Sequence, residues 1–468
     1  MSDEPARFSF HRSLRVVAEP DVLVVGAGCA GTAAAIAAAR SGASTLVVER
    51  AGYCGGYITN VVGPSLDGFV DLRSGLPIVG GVVLDLVRAA AFADVPLDDP
   101  EQVAGTRFRF NTELGQNRAV ADRHAIRFDL ERFKLAADRL LTEAGARMLY
   151  HTTVADVVRD GPRVTGVVIA NKAGLQVVRP RAVVDASGDA DVVAFAGAPF
   201  DLDASAPQPM SLHFRIGRLP ADAELRDACG AVLDEAHAAG RIGLYGGPWM
   251  GRVEDDDIYF NATRLSGNPV DPGDLTAAEM QGRRDVRTMF ELFKERLPAF
   301  RDAYLVSTGP AVGVRESRRI RCDEPLRAAA IAAASPRADV VCLGGWWLDR
   351  HPAASSGYHP HLMVRPYDIG YATLVPQELD NVWVAGRCHG AEQAALASSR
   401  VTVTCMGMGQ AAGTAAALAA RANAAARELD VPGLQRRLAE GGAVILERAD
   451  AVREVGDAMG EVSIDASH

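Results

Sequence analysis

Hydrophobic and polar positions near the N-terminus follow a strand, helix, strand order. Asp21 to Val25 form a short apolar run, and Ser44 to Val48 form another. Between them, Thr32 to Arg40 show helical spacing after a glycine-rich stretch, Gly26 to Gly31. Parallel strands need a crossover connection, which is usually a helix. The pattern therefore predicts a βαβ unit at the start of the chain.

The middle of the chain continues with one amphipathic helix and several strands. Apolar residues recur on one helical face from about Asp129 to Ala144, and Gly145 stands where a helix would end. Apolar runs bounded by turn residues then predict further strands, at Met148 to Leu149, Thr153 to Arg159, Val164 to Ala170, and Ala182 to Gly188.

The second half begins with a mixed region, rich in turn residues, from about Ala198 to Leu374, with helical spacing near Leu275 to Lys294. A strand at Asn381 to Ala385 precedes an alanine-rich helix from about Gln410 to Arg421. We expect an α/β fold with a discontinuous Rossmann-like domain and an inserted mixed α+β lobe for substrate. The predicted segments are 20–80, 125–200 and 375–425 for the first, 81–124 and 201–374 for the second, and 426–468 for a C-terminal helical extension.

Composition narrows the function classes. The 468 residues are 48% hydrophobic and 23% charged, which is typical of a folded protein. A formal net charge of -10 would repel a phosphate backbone or an anionic membrane surface, so neither nucleic acid nor membrane is an expected partner. The uncharged runs Val22 to Ala39 and Val401 to Ala420 reach membrane-span length, but alanine and glycine dominate them, and no span is predicted.

Cysteine usage and the N-terminus bear on the cellular compartment. The 7 cysteines lie far apart and include no C-x-x-C pair, which argues against a dithiol or zinc site. The N-terminus carries Asp3 and Glu4 and no apolar segment of a secretion signal. We therefore expect reduced thiols and a cytoplasmic protein.

The glycine-rich stretch carries the first chemical motif. Gly26 permits a tight turn, Gly28 lets the backbone approach a pyrophosphate, and Gly31 lets helix and strand pack closely. The following helix N-terminus offers free N–H groups and a partial positive charge. Glu49 ends the second strand, where it can accept hydrogen bonds from an adenosine ribose. This predicts a dinucleotide site; a glycine-rich packing turn is the alternative.

Several further motifs follow in order. They read Val-Val-Asp-Ala-Ser-Gly-Asp-Ala at 183–190, Ala-Gly-Arg at 385–387 and Gly-Gln-Ala-Ala-Gly at 409–413, with Glu49-Arg50, Gly55 to Thr59, Gly313 to Ile320 and Asp349 to His351. From about residue 20 to 420 the chain resembles the FAD-dependent oxidoreductase family related to the flavoprotein subunits of fumarate reductase. The resemblance implies a glutathione-reductase-like domain that holds a non-mobile FAD in an extended conformation.

The resemblance also assigns positions along the cofactor. Those for the ADP half are Gly26, Gly28, Ala30, Gly31, Glu49 and Arg50. Those near the middle of the cofactor are Gly55, Gly56, Tyr57 and Thr59. Val154 would lie beside the adenine, Gly188 and Asp189 near the pyrophosphate, and Gly386, Arg387, Gly409, Gln410 and Ala411 near the ribityl chain or the flavin ring. Structural turns are the alternative for the outlying glycines.

A helix N-terminus is expected at the flavin end of the site. If a helix opens at Gly409 to Ala412, its small residues leave the first amides free to donate to the flavin C2 carbonyl. Negative charge on the reduced ring would be stabilised there, which would raise the flavin potential.

Four arginines lie close together in the sequence of this acidic chain: Arg315, Arg318, Arg319 and Arg321. If the segment is helical, Arg315 shares a face with Arg318 and Arg319, and the guanidinium groups can clamp a carboxylate. The alternative is an ion-pair network with Glu316, Asp323 and Glu324 that braces the two lobes.

The histidines are the candidates for proton transfer, and no metal is predicted. His351 follows Asp349 in a run with two tryptophans, and His389 follows the Ala-Gly-Arg motif. His359 and His361 flank a proline, and two histidines without a third ligand are weak evidence for a metal. Cys54 is either a flavin-linked thiol or a small buried side chain.

The functional prediction is a two-electron oxidation or reduction of a small organic molecule through flavin N5, with Arg315, His351 and His389 as candidate catalytic residues. A flavin monooxygenase and a non-catalytic electron-relay subunit are the alternatives. The sequence contains no second glycine fingerprint for NAD(P)H, so it does not identify the electron donor or acceptor. Whether the protein forms a homo-oligomer is also left open.

Overall fold

The computed structural model describes residues 11–71, 76–90, 125–127, 129–203, 207–220, 225–253, 256–353, 356–357 and 364–458. The strands are β1 Arg15–Ala18, β2 Val22–Val25, β3 Thr45–Val48, β4 Ser65–Asp67, β5 Ala125–Arg127, β6 Arg147–Leu149, β7 Thr153–Asp160, β8 Arg163–Asn171, β9 Gly174–Val178, β10 Ala182–Asp185, β11 Phe200–Asp201, β12 Phe214–Gly217, β13 Tyr245–Arg252, β14 Ile258–Thr263, β15 Tyr304–Thr308, β16 Arg319–Ile320, β17 Val340–Gly344, β18 Tyr367–Gly370 and β19 Val382–Val384. The helices are α1 Cys29–Arg40, α2 Tyr57–Asn60, α3 Val82–Ala90, α4 Leu130–Ala144, α5 Asp191–Phe195, α6 Leu225–Ala238, α7 Pro272–Arg296, α8 Ala328–Ala333, α9 Gln393–Ser399, α10 Thr402–Ala422, α11 Val431–Glu440 and α12 Glu447–Ala458.

A parallel sheet with the strand order β19, β10, β2, β3, β6 organises the larger core. Strands β2 and β3 flank α1 in the chain and pair in parallel, which confirms the predicted βαβ unit. In β2, Val22 and Val24 join the core formed with the helices, whereas Leu23 and Val25 join the core on the other face. Because both faces are covered, the strand reads as a continuous apolar run.

Small residues bring α1 and α10 into close contact on one face of this sheet. A Cβ at Gly409 would lie 2.0 Å from the carbonyl oxygen of Ala30, and one at Gly413 would lie 2.0 Å from that of Ala34. Larger side chains would separate the two helices. Both helices are buried on nearly every side, which accounts for their uncharged sequences. None of the described helices combines the length and apolar character needed to cross a membrane.

The other face of the parallel sheet packs against a second sheet, in the order β1, β9, β8, β7. Its strands β7 and β8 confirm two predicted strands. The predicted helix of the middle region is confirmed as α4, with Asp129 capping its N-terminus and Gly145 ending it at a φ of 85°.

A separate hydrophobic core contains buried residues from Met210 to Val312. Antiparallel strands in the order β13, β14, β12, β15 form its sheet, and α6 and α7 contribute residues to the same core. The rings of Phe214 and Phe260 stack there with centroids 5.0 Å apart. Of the segments predicted for this lobe, 81–124 and 201–374, residues 91–124 lie outside the described part of the chain. The apolar side chains of α3, β17 and β18 pack in the larger core instead.

One sequence prediction about helices is wrong, and one condition set for the arginines is not met. Helix α10 begins at Thr402 rather than near Gln410, because burial of its first turn outweighs the low helix propensity of a β-branched run. The segment 313–320 is not helical, and its regular structure is the short strand β16. The arginines of that segment therefore point in different directions, as described below.

Candidate functional site

Two of the three motif glycines are required by the protein's own packing. Gly26 has a φ of +87°, and a Cβ there would lie 2.6 Å from the carbonyl oxygen of Ala186. A Cβ at Gly31 would lie 1.8 Å from the carbonyl oxygen of Gly26. These glycines make the turn and the close approach of α1 to the sheet.

Gly28 differs, because neither backbone conformation nor packing requires a glycine there. Its φ is -65°, and a Cβ would meet only Gly56 Cα, at 3.8 Å. Helix α1 begins beside this space with no side-chain cap and no acidic residue in its first turn. Free amides and an open cradle at a helix N-terminus fit a pyrophosphate.

Glu49 is fixed at the end of β3 next to this turn. Its side chain is 7% exposed, Oε2 accepts from the Ala27 N–H at 2.6 Å, and Oε1 accepts from the Ala51 N–H at 2.8 Å. The backbone of Thr152, two residues before Val154, donates to the Glu49 carbonyl at 2.9 Å. The carboxylate keeps lone pairs that can accept from a ribose.

The segment predicted to pass the middle of the cofactor lies against the glycine turn. Gly28 and Gly55 form a parallel bridge, and a Cβ at Gly56 would lie 2.8 Å from Gly28 Cα. Cys54 just before them is buried, with Sγ 3.2 Å from Tyr150 Oη. Burial raises the pKa of the Cys54 thiol to about 12, which favours the small buried side chain over a reactive thiolate.

Asp189, Arg387 and Ser317 form one hydrogen-bonded group. Arg387 Nη2 donates to Asp189 Oδ1 at 2.7 Å, and Ser317 Oγ donates to the same oxygen at 2.6 Å. Burial alone would raise the pKa of Asp189, but the Arg387 guanidinium and the Ser317 hydroxyl together hold it below its usual range. A Cβ at Gly188 would lie 3.2 Å from Arg387, and one at Gly386 would lie 3.2 Å from Ala30 Cβ. The structure thus brings these predicted positions together near the start of α1.

The predicted helix N-terminus at Gly409 to Ala411 is wrong, because these residues lie in the interior of α10. The Gln410 side chain accepts from the Val82 N–H at 3.1 Å and donates to the Gly441 carbonyl at 3.3 Å. It therefore ties α10 to α3 and to the loop after α11.

The true N-terminus of α10 has the properties expected at the flavin end. Its first turn, 402–404, is buried and carries neither a side-chain cap nor an acidic residue. Thr404 Oγ1 is buried without a hydrogen-bond partner among the described residues. Buried amides and a hydroxyl without partners fit a polar ligand edge such as the flavin pyrimidine ring.

Two buried arginines meet on the side of the smaller lobe. Arg315 Nη1 donates to Ser211 Oγ at 2.9 Å and to the Pro209 carbonyl at 2.5 Å. Arg264 Nη1 donates to the same Ser211 oxygen at 3.2 Å. Neither arginine makes an ion pair with a carboxylate in the described part of the chain. Burial and the neighbouring Arg264 charge hold the pKa of Arg315 well below its usual range.

Asp349 and His351 connect this pair to the start of α10. His351 Nε2 lies 3.0 Å from Asp349 Oδ1, and Arg400 donates to Asp349 Oδ2 at 3.1 Å. His351 Nδ1 lies 3.3 Å from Arg264 Nη2. In the neutral tautomer, Nε2–H donates to the carboxylate and Nδ1 accepts from the guanidinium. We call Arg264, Arg315, Arg400, Asp349 and His351 the arginine cluster.

The two histidines of this region are held neutral. Burial, with the Arg315 and Arg264 charges, outweighs Asp349 and lowers the pKa of His351 to about 3. Burial and the Arg315 charge lower the pKa of His213 to about 3 as well. The His213 ring lies edge-on to Tyr57, 5.7 Å between centroids, so the arginine cluster faces the segment that follows Gly56.

Other predicted residues have different surroundings. His389 does not contact the arginine cluster; its Nε2 lies 2.8 Å from Ser399 Oγ. Arg318 and Arg321 form ion pairs with Asp191 and Asp201, not with the acids of the predicted network. Arg319 Nε donates to the Ala391 carbonyl at 3.0 Å. His359 and His361 lie outside the described residues. Within the described residues, no group of three or more His, Cys, Asp or Glu could hold a metal ion.

Four residues of this region were not among the candidates named from the sequence: Arg264, Arg400, Ser211 and His213. A single arginine in an acidic chain carries no signal by itself. Among the four, only Arg400 had a recognisable signal, because it directly precedes the uncharged run that forms most of α10.

Several known proteins are similar to this chain. The family model described as FAD dependent oxidoreductase matches residues 21–438. The chain is 33% identical over 266 residues to the thiamine thiazole synthase of Archaeoglobus fulgidus, over 54% of this chain and 85% of that protein. It is 31% identical over 160 residues to the thiamine thiazole synthase of Aeropyrum pernix, over 34% of this chain and 47% of that one. Among solved structures, a geranylgeranyl bacteriochlorophyll reductase-like protein from Thermoplasma acidophilum aligns over 94% of this chain and 90% of its own, at 13% identity and a TM-score of 0.48.

The match includes the glycine turn, the Asp189 group, the arginine cluster and the start of α10. The open cradle at Gly28 and the hydroxyl of Thr404 fit FAD on structural grounds alone. The chain belongs to the FAD-dependent oxidoreductase family, and it is an enzyme with FAD as its cofactor.

Proposed function

We propose that this enzyme oxidises or reduces a small organic anion, most simply a carboxylate, at the boundary between its smaller lobe and the larger core. One observation carries the proposal: Arg264 and Arg315 are both buried, share Ser211, and make no direct ion pair with a carboxylate among the described residues. The charge of Asp349 reaches both arginines, but its oxygens are held by Arg400 and His351. A buried cation without a counterion costs roughly several kcal/mol, and an anionic substrate would offset that cost.

The proposal includes a placement for FAD. The pyrophosphate would lie at the start of α1 beside Gly28, the ribose at Glu49, and the flavin end near residues 402–404 of α10. FAD supplies the capacity to accept or donate a hydride at N5. A glutathione-reductase-like arrangement of this domain, a relation to the fumarate reductase flavoproteins and an inserted substrate lobe belong to the same proposal.

The arginine cluster has two tasks in this reaction. Arg264 and Arg315 bind the anion and orient it, since a guanidinium fork matches a carboxylate. His351 is neutral at pH 7 and holds its Nε2–H toward Asp349, so that Nδ1 is the atom that can accept a proton. When a substrate carboxylate takes the hydrogen bonds of Arg264, Nδ1 is released from that guanidinium. Anion binding thus prepares the base.

The test is to add anions to the holoenzyme and to measure their binding from changes in the visible flavin spectrum. We expect malonate to perturb the spectrum, its neutral isostere malonamide to leave it unchanged, and inorganic phosphate to reveal whether the site prefers a phosphate. Arg315→Gln should weaken malonate binding about tenfold or more, since a hydrogen bond between two charged groups is lost.

Arg321→Gln is the matched control, because Arg321 is exposed and pairs only with the exposed Asp201 in the described structure. FAD content and the melting temperature of each variant verify folding. Equal binding of malonate and malonamide, or an Arg315→Gln variant that binds malonate like the wild type, would contradict the proposal.

A second experiment separates the reaction types. After anaerobic reduction and an oxygen pulse, an oxygenated organic product favours a monooxygenase. Reduction that occurs only through a protein partner favours an electron-relay subunit. Turnover of a small anion under anaerobic conditions with an artificial electron acceptor supports the dehydrogenase or reductase.

A further inference from the structure

Three consecutive side chains connect different parts of the site. Arg315 enters the arginine cluster, and Ser317 joins Asp189 and Arg387. Glu316, between them, belongs to neither group. It is 2% exposed and makes no ion pair with any residue that the structure describes. A buried carboxylate without a cation needs an explanation.

Two glutamines satisfy this carboxylate. Gln208 Nε2 donates to Glu316 Oε2 at 2.8 Å, and Gln393 Nε2 donates to Glu316 Oε1 at 2.6 Å. The other end of the Gln208 amide is used as well: Gln208 Oε1 accepts from the His351 backbone N–H at 3.1 Å. A chain of hydrogen bonds therefore runs from Gln393 through Glu316 and Gln208 to His351.

The direction of each hydrogen bond follows from the carboxylate. An ionised carboxylate can only accept, so the Gln208 amide must turn its NH₂ group toward Glu316. Its carbonyl oxygen then faces His351, which is the orientation that holds the His351 N–H. With a neutral or donating group at position 316, this orientation would lose its preference.

Gln393 links the same carboxylate to the second arm of the cluster. It is the first residue of α9, which runs to Ser399 and leads directly into Arg400. Arg400 holds Asp349, and Asp349 holds the His351 ring. Glu316 therefore contacts Gln208, which holds the His351 backbone, and Gln393, whose helix leads to Arg400.

We propose that Glu316 is a positioning residue, which sets the backbone of His351 through Gln208 and aligns it with Arg400 through Gln393. This inference rests on the proposed function, in which His351 accepts the substrate proton. The proposal can be tested by exchanging the two side chains of the Gln208–Glu316 pair, which reverses the direction of the hydrogen bond between them.

Gln208→Glu places two carboxylates opposite each other and should displace His351. Adding Glu316→Gln restores every bond in the reverse sense. The new amide at position 316 then donates to the new carboxylate at position 208, and its carbonyl oxygen accepts from Gln393. The carboxylate at position 208 also accepts from the His351 N–H. We therefore expect the single variant Q208E to be impaired and the double variant Q208E/E316Q to recover.

The primary measurement is NMR of the histidine-labelled holoenzyme. In Q208E the His351 resonances should move from their wild-type positions, and in Q208E/E316Q they should return. Malonate affinity, read from the flavin spectrum, should fall about tenfold in Q208E and recover in the double variant. Q377E is the matched control, because Gln377 donates to the exposed Asp323 in the same kind of pair; it should change neither reading.

The outcomes separate the two proposals. If Q208E leaves the His351 resonances unchanged, or if the double variant is no closer to wild type than Q208E, Glu316 does not position His351. The wild type could fail to bind malonate while the His351 resonances move in Q208E and return in Q208E/E316Q. That result would support the positioning role and contradict the anion-binding function. FAD content and melting temperature identify a variant that fails to fold, in which case Glu316→Gln alone, which adds no charge, must shift the His351 resonances.

Discussion

At the scale of single residues, the glycine motif combines two kinds of requirement. Gly26 and Gly31 are glycine because the protein's own atoms leave no room for a Cβ. Gly28 has room and an ordinary backbone conformation, so neither folding nor packing accounts for a glycine there. The proposed pyrophosphate beside Gly28 would account for it.

Alanine substitutions should separate these requirements. Gly28→Ala should leave the stability of the FAD-free protein within about 0.5 kcal/mol and weaken FAD binding about tenfold or more, because its methyl group fills the cradle. Gly31→Ala should lose about 3 kcal/mol or more, since its Cβ would meet Gly26. Chemical denaturation and FAD titration give both readings. A Gly28→Ala protein with wild-type FAD affinity would show that the pyrophosphate lies elsewhere.

At the scale of elements, the start of α10 shows how burial selects a helix boundary. Val401 and the three residues after it favour an extended conformation by propensity, yet the structure begins the helix at Thr402. The first turn is buried against the core without a cap. A helix terminus left in this state is unfavourable by itself and becomes favourable when a ligand takes its amides.

A capping side chain at this terminus should therefore stabilise the FAD-free protein and weaken FAD binding. Val401→Asp supplies a side chain that can accept from the first-turn amides, and we expect the FAD-free protein to gain about 1 kcal/mol. FAD affinity should fall, because the aspartate competes for the amides and repels negative charge on the flavin.

Val401→Ser serves as the uncharged control, which should cap the helix with a smaller loss of FAD affinity. Thermal denaturation without FAD and a titration with FAD measure the two effects. Stabilisation without any loss of FAD affinity would place the flavin away from α10.

At the scale of the whole molecule, three buried histidines make stability depend on pH. Burial, with nearby arginine charges, lowers the pKa of His213, His351 and His389 to about 3. Between that value and about 6.5 the unfolded chain binds more protons than the folded one, so stability falls as the pH falls through this window. Asp185 opposes the trend, since burial raises its pKa to about 6 and the folded state then binds its proton more readily.

We expect the free energy of unfolding to decrease as the pH falls from about 6.5 to 5, by roughly 1 kcal/mol per pH unit for each histidine, less the opposing effect of Asp185. His389→Asn should reduce the slope by one such increment, whereas His11→Gln, at an exposed position, should leave it unchanged. Urea denaturation at a series of pH values measures the slope. Equal slopes for the wild type and His389→Asn would show that His389 takes up its proton as readily in the folded state as in the unfolded chain.

The sequence by itself determined the elements whose signals are local. The βαβ unit, the glycine turn with Glu49, and helix α4 between Asp129 and Gly145 follow from period and capping within a few turns of chain. The family resemblance extended this to FAD and to a redox enzyme. The βαβ unit, the glycine turn and α4 could be predicted because residues close in the chain determine them.

Only the tertiary structure decided which chemical groups meet. Arg264 and His351 are 87 positions apart, and Ser211 and Arg315 are 104 apart. No local pattern relates such residues, because their meeting depends on the packing of segments that are distant in the chain. The start of α10 and the separate directions of Arg315, Glu316 and Ser317 were decided in the same way, since burial and hydrogen bonds to distant residues outweighed the preferences of the segment.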